Sequence, residues 1–314
     1  MELQRIDGAQ VLITGGSGVI GSYVIDKLER EFDITVADMN RPQSNKVKYS
    51  RVDLTKPFVV SKDFEICIHL GAYVGGIQYF TQHPVENMRD NPRMTANMLD
   101  AAVNSNLNQI IYTSSSIVYE QQTEFPTKEE SVNSSPPPRS AYGMSKLAGE
   151  YLCKAFNQQF GLKYTILRPF NVFGPKELPD PEYAHVIPQL AKKVLSGQYP
   201  VEIYGTGEQT RTFTHGRDVA SAFLLSMNNV NAFNETFNVA GNEEKSIKEV
   251  LTLIWKMLPQ TRNLMIKNLP SYAHDVKRRF PSTEKIRRKL NWKPQISFED
   301  GLYETVKWLS KTYG

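Results

Sequence analysis

VLITGGSGVIGSYVIDKL, residues 11–28, joins an apolar run to an amphipathic one through Gly15, Gly18 and Gly21. A strand, a glycine turn and a helix in that order suit the pyrophosphate of a dinucleotide. Glycine allows the tight turn and the close approach of backbone to anion, and the first N–H groups of the helix face the ligand with a positive dipole. A glycine triplet alone is weak evidence; the flanking strand and helix patterns give it weight. Asp38 follows at the end of a second strand-like run, ITVAD. A carboxylate there can accept hydrogen bonds from an adenosine ribose and would repel a 2′-phosphate. The cofactor implied is NAD rather than NADP.

Outward from this stretch the pattern alternates. QVLIT, ITVAD, VKYSRVD, EICIHLG, NQIIYTSS and KYTILRPF are short β-branched runs of the kind found in buried parallel strands. Helical patterns such as SYVIDKLEREF and RMTANMLDAAVNS separate them. That order predicts an α/β fold, a doubly wound parallel sheet with ligands at the carboxyl ends of its strands. After Asn171 the rhythm loosens at GP, LPDP and SGQYP. The division expected is a dinucleotide-binding part over 1–170, completed by parts of 211–240, and a smaller, mainly substrate-binding α/β part over 171–314.

With 314 residues, 40% hydrophobic and 22% charged, the chain has the composition of a globular protein. Its apolar runs fall far below the roughly 18 residues of a membrane span, and Glu2, Arg5 and Asp7 stand where a leader segment would be apolar. Two cysteines, Cys67 and Cys153, make no disulfide framework, which suits a reducing cytoplasm. The net charge of +4 is concentrated in KRRFPSTEKIRRKLNWK, residues 277–293. No aromatic interleaving or nucleic-acid module accompanies that run, so the expected partners include neither nucleic acid nor membrane. It reads as a solvated face, with room for one or two arginines turned inward onto an anionic ligand.

A second chemical signal is SAYGMSKLAGEYL, where Tyr142 and Lys146 stand at i and i+4 and share one helix face. A lysine ammonium near a phenol favours the phenolate, which would make Tyr142 a proton shuttle near neutral pH.

Taken together these motifs resemble the extended short-chain dehydrogenase/reductases, in particular their nucleotide-sugar epimerase/dehydratase group. TGGSGVIG is similar to the family's T-G-x-x-G-x-x-G loop, which implies cofactor contacts at Gly15, Gly18, Val19, Ile20 and Gly21. Asp53-Leu54 resembles the pair that meets the adenine. HLGA, with Leu70, Gly71 and Ala72, is similar to the HLAA stretch beside the cofactor, and Asn91 matches a cofactor-contacting Asn. RPFNVFGP, YGTGEQTRTFTHGRDVASAF, and DVKRR followed by LNWKPQISFEDGLYETVKWL complete the resemblance along nearly the whole chain. It implies Tyr142, Lys146 and Ser115 as the catalytic set, with Tyr142 and Lys146 also meeting the cofactor.

The cluster TSSSIVYE, residues 113–120, then separates the subtypes. After the catalytic serine, dehydratases of this family carry Asp-Glu, decarboxylating relatives a Glu, and fucose-synthase-like and mannose 3,5-epimerase-like members a Cys. This chain has Ser116, assigned to the substrate, and Ile117, which has no proton to exchange. What the resemblance leaves is hydride chemistry alone, as in C4 epimerisation. GAYVGGI and AHVIPQL instead resemble stretches of fucose-synthase-like C4 reductases, where the His, here His185, serves as an acid; otherwise His185 holds substrate or structure. A non-catalytic dinucleotide sensor is the alternative of another class, although sensors normally lack the Tyr or Lys. The substrate implied is a nucleoside-diphosphate sugar, met by Asn171 and by Arg211 and Arg278 on the pyrophosphate, with Arg279 facing solvent. The family usually dimerises, here through helices around 93–104 and 142–156 with Val103, Leu147, Tyr151 and Leu152 available as apolar contacts.

Overall fold

The computed structural model describes residues 9–105, 107–177, 180, 183–272 and 276–313. Residues 1–8, most of the LPDP run and Asp275 of DVKRR lie outside the described residues. The first half of the chain runs β1 (Gln10–Thr14), α1 (Val19–Leu28), β2 (Asp33–Asp38), β3 (Lys48–Arg51), β4 (Phe64–His69), α2 (Ile77–Gln82), α3 (Pro84–Ser105), β5 (Gln109–Thr113) and α4 (Ala141–Phe160). It continues through β6 (Lys163–Pro169), β7 (Val172–Phe173), α5 (Val186–Leu195), β8 (Val201–Tyr204), β9 (Thr210–Thr212), β10 (Thr214–His215), α6 (Gly216–Ser226) and β11 (Glu235–Val239). The last elements are β12 (Glu244–Ser246), α7 (Ile247–Met257), β13 (Ile266–Leu269), β14 (Arg278–Arg279), α8 (Glu284–Leu290) and α9 (Phe298–Tyr313). Each of the six strands read from the sequence forms.

Among the described residues seven strands make one parallel sheet in the order β11-β6-β5-β4-β1-β2-β3. The strand order reverses between β1 and β4, so their carboxyl ends diverge into the crevice where a ligand binds in such sheets. The period-2 alternation of strands divides the core. Val11 and Ile13 of β1 pack with Val24, Leu28, Val219 and Phe223 of α1 and α6 on one face. Leu12, between them, packs with Met98, Leu99 and Cys153 of α3 and α4 on the other. Cys67 and Cys153 are buried and free.

A separate apolar core gathers Leu190 and Val194 of α5, Val201 and Ile203 of β8, Leu251 and Ile254 of α7, and Leu302 and Val306 of α9. Around it lie small sheets, β12-β9-β14 and β13-β8. β14 runs parallel to β9, placing Arg279 beside Arg211.

One buried ion pair fastens the helix that carries Tyr142. Arg168 of β6 and Glu150 of α4 are 1% and 0% exposed, and the guanidinium donates to both carboxylate oxygens, from Nε at 2.8 Å and Nη2 at 2.6 Å. Ser114 Oγ donates to the same carboxylate at 2.5 Å. Arg168 Nη1 reaches the Glu129 carbonyl at 2.8 Å and the Tyr119 hydroxyl, which donates to Asn238 Oδ1 at 2.8 Å. Strand ends β5, β6 and β11 and helix α4 are thus tied at one point. Removing one partner of such a pair leaves an uncompensated charge in the interior, at a cost of roughly 3–5 kcal/mol.

Candidate active site

At the first glycine the backbone adopts φ +70, and a Cβ there would lie 2.5 Å from the Gly71 amide nitrogen. Only glycine lets the turn after β1 approach the turn after β4 this closely. Helix α1 begins at Gly18 with no side-chain cap, so its first N–H groups point out unpaired by any capping side chain. Val19 and Ile20 form its first turn and Gly21 lies in it, within 2.6 Å of Gly16 for an added Cβ. At the tip of β2 the Asp38 carboxylate accepts from Ser17 N at 3.0 Å and Asn40 N at 2.9 Å, which fixes it beside the glycine turn. Loop, uncapped helix and carboxylate together fit a dinucleotide whose ribose meets Asp38.

Asp53 is a turn-former here: it accepts from Thr55 N at 3.0 Å and Thr55 Oγ1 at 2.6 Å. Leu54 packs so tightly on Gly71 that an added Cβ would meet its Cδ1 at 2.3 Å. Leu70 is tied to β1 through its N–H on the Thr14 carbonyl at 2.9 Å, and Ala72 follows in the same loop. Asn91 is buried, and its amide is committed to protein: it accepts from Tyr73 N at 2.7 Å and donates to Tyr73 O at 3.1 Å and Ser145 Oγ at 3.3 Å. These bonds hold the loop after β4 against α4.

Ser140 caps α4, accepting from Gly143 N at 3.1 Å, and two residues on Tyr142 lies buried with Ser115 beside its phenol. Ser115 in turn caps the 3₁₀ turn over Ser116–Tyr119. Ser116 is buried, whereas Ile117 reaches the cleft. Lys146 Nζ donates to the Thr113 carbonyl at 2.8 Å and sits 5.9 Å from the Tyr142 ring centre. Burial pulls the Lys146 pKa down to about 8, with Glu150 opposing. Burial pushes the Tyr142 phenol up, while Ser115 and the Arg279 charge pull it down. Burial thus outweighs the nearby groups that favour the phenolate. His69, buried between Thr14 Oγ1 at 2.6 Å and Thr95 Oγ1 at 3.3 Å, is driven down to about 3 by burial and then by Lys146, and stays neutral.

Beside this set opens a cleft of about 600 Å³. Ile117, Ser140 and Ala141 line its tyrosine end; Asn171, His185 and Arg211 line other walls. Asn171 holds φ 34, a left-handed conformation Asn tolerates, and donates to the Thr212 carbonyl at 3.1 Å. His185 stands at the start of α5 with Nδ1 2.6 Å from the buried Glu177 carboxylate. Loss of water lowers its pKa, the carboxylate raises it further, and the net shift is upward.

Two residues that no pattern singled out also shape the site. Phe80 of α2 stacks face to face on Tyr142, ring centres 4.1 Å apart and 7° from parallel. Glu120 lines the cleft one 3₁₀ turn after Ile117. Phe80 sits on a helix of six residues, too short to show a period. The expectation that Arg279 faces solvent is not met. Arg278 is exposed and paired with Glu244 at 2.8 and 2.9 Å, whereas Arg279 lines the cleft with Arg211. Neighbours on a strand face opposite sides, so only one of the two can turn inward.

Residues 11–240 match the model of the NAD dependent epimerase/dehydratase family, and the chain belongs to that family. A putative UDP-glucose 4-epimerase of Methanocaldococcus jannaschii is 32% identical over 95% of this chain and 98% of its own. The crystal structure of the Thermotoga maritima UDP-glucose 4-epimerase with UDP-glucose superposes with a TM-score of 0.86 at 27% identity, covering 97% of this chain and all 100% of the other. The Bacillus cereus UDP-glucuronic acid 4-epimerase, bound to UDP-glucuronic acid and NAD, does so with 0.85 at 25% identity, covering 97% and 100%. The family is NAD-dependent, and such neighbours bind UDP-sugars.

The strand alternation at 278–279 gives a direct test. Titrated with UDP, Arg279→Ala should bind about 10- to 100-fold more weakly than the wild type, the worth of charged hydrogen bonds, and Arg278→Ala within about threefold. The opposite ranking would return the pyrophosphate to Arg278.

Proposed function

We propose that this protein is an NAD-dependent nucleotide-sugar 4-epimerase that inverts C4 of a UDP-linked sugar through a transient 4-keto form. One observation carries the reading: Ser115 lies beside the Tyr142 phenol and acts on its pKa, offering a proton path to one sugar oxygen, while the aprotic Ile117 occupies the nearby cleft wall. When bound, NAD supplies the hydride acceptor for oxidation and the donor for its reversal. Tyr142, bridged by Ser115, takes the proton of the 4-hydroxyl and gives it back once the keto sugar presents its other face. Burial keeps the free phenol protonated, so it becomes a base only as positive charge gathers; Lys146, with a pKa of about 8, carries its proton at neutral pH and Arg279 pulls the same way. We assign the cofactor mainly to 1–170 with parts of 211–240, and the substrate mainly to 171–314, in the reducing cytoplasm that free Cys67 and Cys153 suit.

His185 favours a second reading, C4 reduction of a nucleotide-linked 4-keto-6-deoxy sugar, because a buried carboxylate holds its imidazole in the cleft wall. Cofactor balance separates the two: a reductase consumes one reduced nicotinamide per turnover of a 4-keto sugar, whereas an epimerase regenerates its NAD; reaction in deuterated water tests the hydride-only step. Epimerisation by hydride alone should leave C3 and C5 free of deuterium, and Tyr142→Phe should lower turnover about 10²- to 10⁴-fold with NAD binding retained. Deuterium at C5 that disappears in His185→Gln would overturn the pure-hydride reading, and turnover unmoved in Tyr142→Phe would remove Tyr142 as its base.

Asp38 carries the cofactor preference. NAD should bind more tightly than NADP, with Asp38→Ala narrowing the gap; equal dissociation constants in the wild type would dismiss it.

A homodimer through α3 and α4 belongs to the same reading. Tyr151 is 60% exposed on α4 and Met88 46% on α3, while Val103, Leu147 and Leu152 pack against the chain's own clusters. Tyr151 is therefore the main apolar contact proposed. Sedimentation at micromolar concentration should give twice the chain mass; a monomer would exclude the dimer.

A further inference from the structure

Helix α2 is fastened on two sides through two consecutive residues. On one side Phe80 lies flat on the Tyr142 ring of α4, centres 4.1 Å apart and 7° from parallel, and it also lines the cleft. On the other, Tyr79 packs against Tyr183 at 5.0 Å, outside the cleft lining. Tyr183 stands two residues before His185, which caps the start of α5, and its N–H is held by Asp180 Oδ1 at 3.0 Å. Consecutive helical residues point about 100° apart, so α2 reaches from the tyrosine to the segment that enters α5. The helix is seated from behind as well. Tyr79 is buried, stacks on His83 at 4.6 Å, and crowds Gly75, where an added Cβ would stand 2.7 Å from the Tyr79 Cβ.

What α2 offers the cleft is mostly apolar. The side chains of Ile77 and Phe80 carry no hydrogen-bonding atoms, and the Thr81 hydroxyl donates to the Ile77 carbonyl at 2.9 Å. Ile117 and Ala141 continue this surface, while the polar Glu120 and Ser140 at the same end bond each other at 3.1 Å. An apolar wall confines a sugar by shape and prefers neither of its faces. C4 inversion calls for such a wall. The 4-hydroxyl gives its proton to Tyr142 and C4 gives a hydride to NAD, and the ketose must then turn over without leaving. Every exit before the hydride returns ends the turnover, with one ketose in solution and one cofactor left reduced.

Resting on the epimerase reading, we propose that α2 is the retaining wall of the sugar chamber, held shut by Phe80 on Tyr142 and by Tyr79 on Tyr183. It slows the exit of the bound sugar, so that the ketose turns instead of escaping. Phe80 and Tyr183 are positioning residues in this scheme, one facing the chamber and the other acting only through α2. Closure of this kind protects a reactive intermediate from side reactions. Aromatic pairs are worth roughly 2- to 12-fold in an equilibrium constant beyond the area they bury. Losing either pair should open the wall more often by about that factor.

The test uses the NAD-loaded protein as wild type, Phe80→Ala and Tyr183→Ala. Stopped-flow measurements give the dissociation rates of UDP-glucose and of UDP, and near-ultraviolet absorbance counts reduced cofactor per C4 inversion. Both variants should release UDP-glucose about 2- to 12-fold faster and UDP at the wild-type rate, since UDP has no sugar for the wall to retain. Reduced cofactor per inversion should rise alongside, with free ketose in solution to match. A purely structural contact would speed both ligands alike, and that result overturns the proposal. So do rates unmoved in both variants. Tyr183 meets Tyr79 rather than the catalytic ring, so an effect confined to Phe80→Ala would run through Tyr142 and also overturns it. Tyr183 is 49% exposed, and its variant decides alone should Phe80→Ala fail to fold. The epimerase reading fails separately. Sugar-specific release in both variants without C4 inversion in the wild type sinks that reading and upholds the wall, whereas C4 inversion with release and leakage unchanged does the reverse. A wild type that does not bind UDP-glucose overturns both.

Discussion

The ion pair between Arg168 and Glu150 is the fixed point of this molecule. It lies where β5, β6 and β11 end and where α4 must be held at a set height above the sheet. A buried guanidinium is tolerated only when its donors are used, and here Glu150, Tyr119 and the Glu129 carbonyl take them. Burial alone would lower the Arg168 pKa, but Glu150 and Tyr119 more than reverse this, so the charge stays. Because Glu150 and Lys146 are one helical turn apart, anchoring one places the other beside Thr113, and Tyr142 a turn further beside Ser115. Catalytic geometry at the N-terminal end of α4 is thus inherited from a structural contact in its middle.

Electrostatics at the site follow from the same burial. Dehydration disfavours charge on every titratable group there, and the outcome for each depends on its partners. His69 has only hydroxyls and remains neutral. Lys146 keeps its proton at neutral pH because Glu150 offsets part of the cost. Tyr142 keeps its own because no full charge yet outweighs the loss of water.

Shape is divided between two apolar cores. Alternate residues of β1 commit its two faces to α1 and α6, or to α3 and α4, leaving only strand ends for chemistry. The second core, built on α5, α7 and α9, supports the small sheets that bring Arg211 and Arg279 to the cleft. Phe80 closes the remaining side by covering one face of the Tyr142 ring.

Much of this was legible in the amino-acid order, because it depends on local rules. The strand–glycine–helix unit at 11–28 is dictated by backbone sterics, so Gly15 could be read as a turn that admits no side chain. The i, i+4 placing of Tyr142 and Lys146 follows from helical periodicity, and the six strands from their β-branched runs. Contacts between distant segments had no such signature. Which of Arg278 and Arg279 turns inward depends on the face β14 offers to β9, more than sixty residues earlier, and a strand of two residues carries no alternation to read. The commitment of Asn91 to Tyr73, the stacking of Phe80 on Tyr142, and the grip of Ser140 on Glu120 are likewise pairings across loops. Local sequence sets what each residue can offer, while only tertiary packing decides which partner it meets and how much water it keeps.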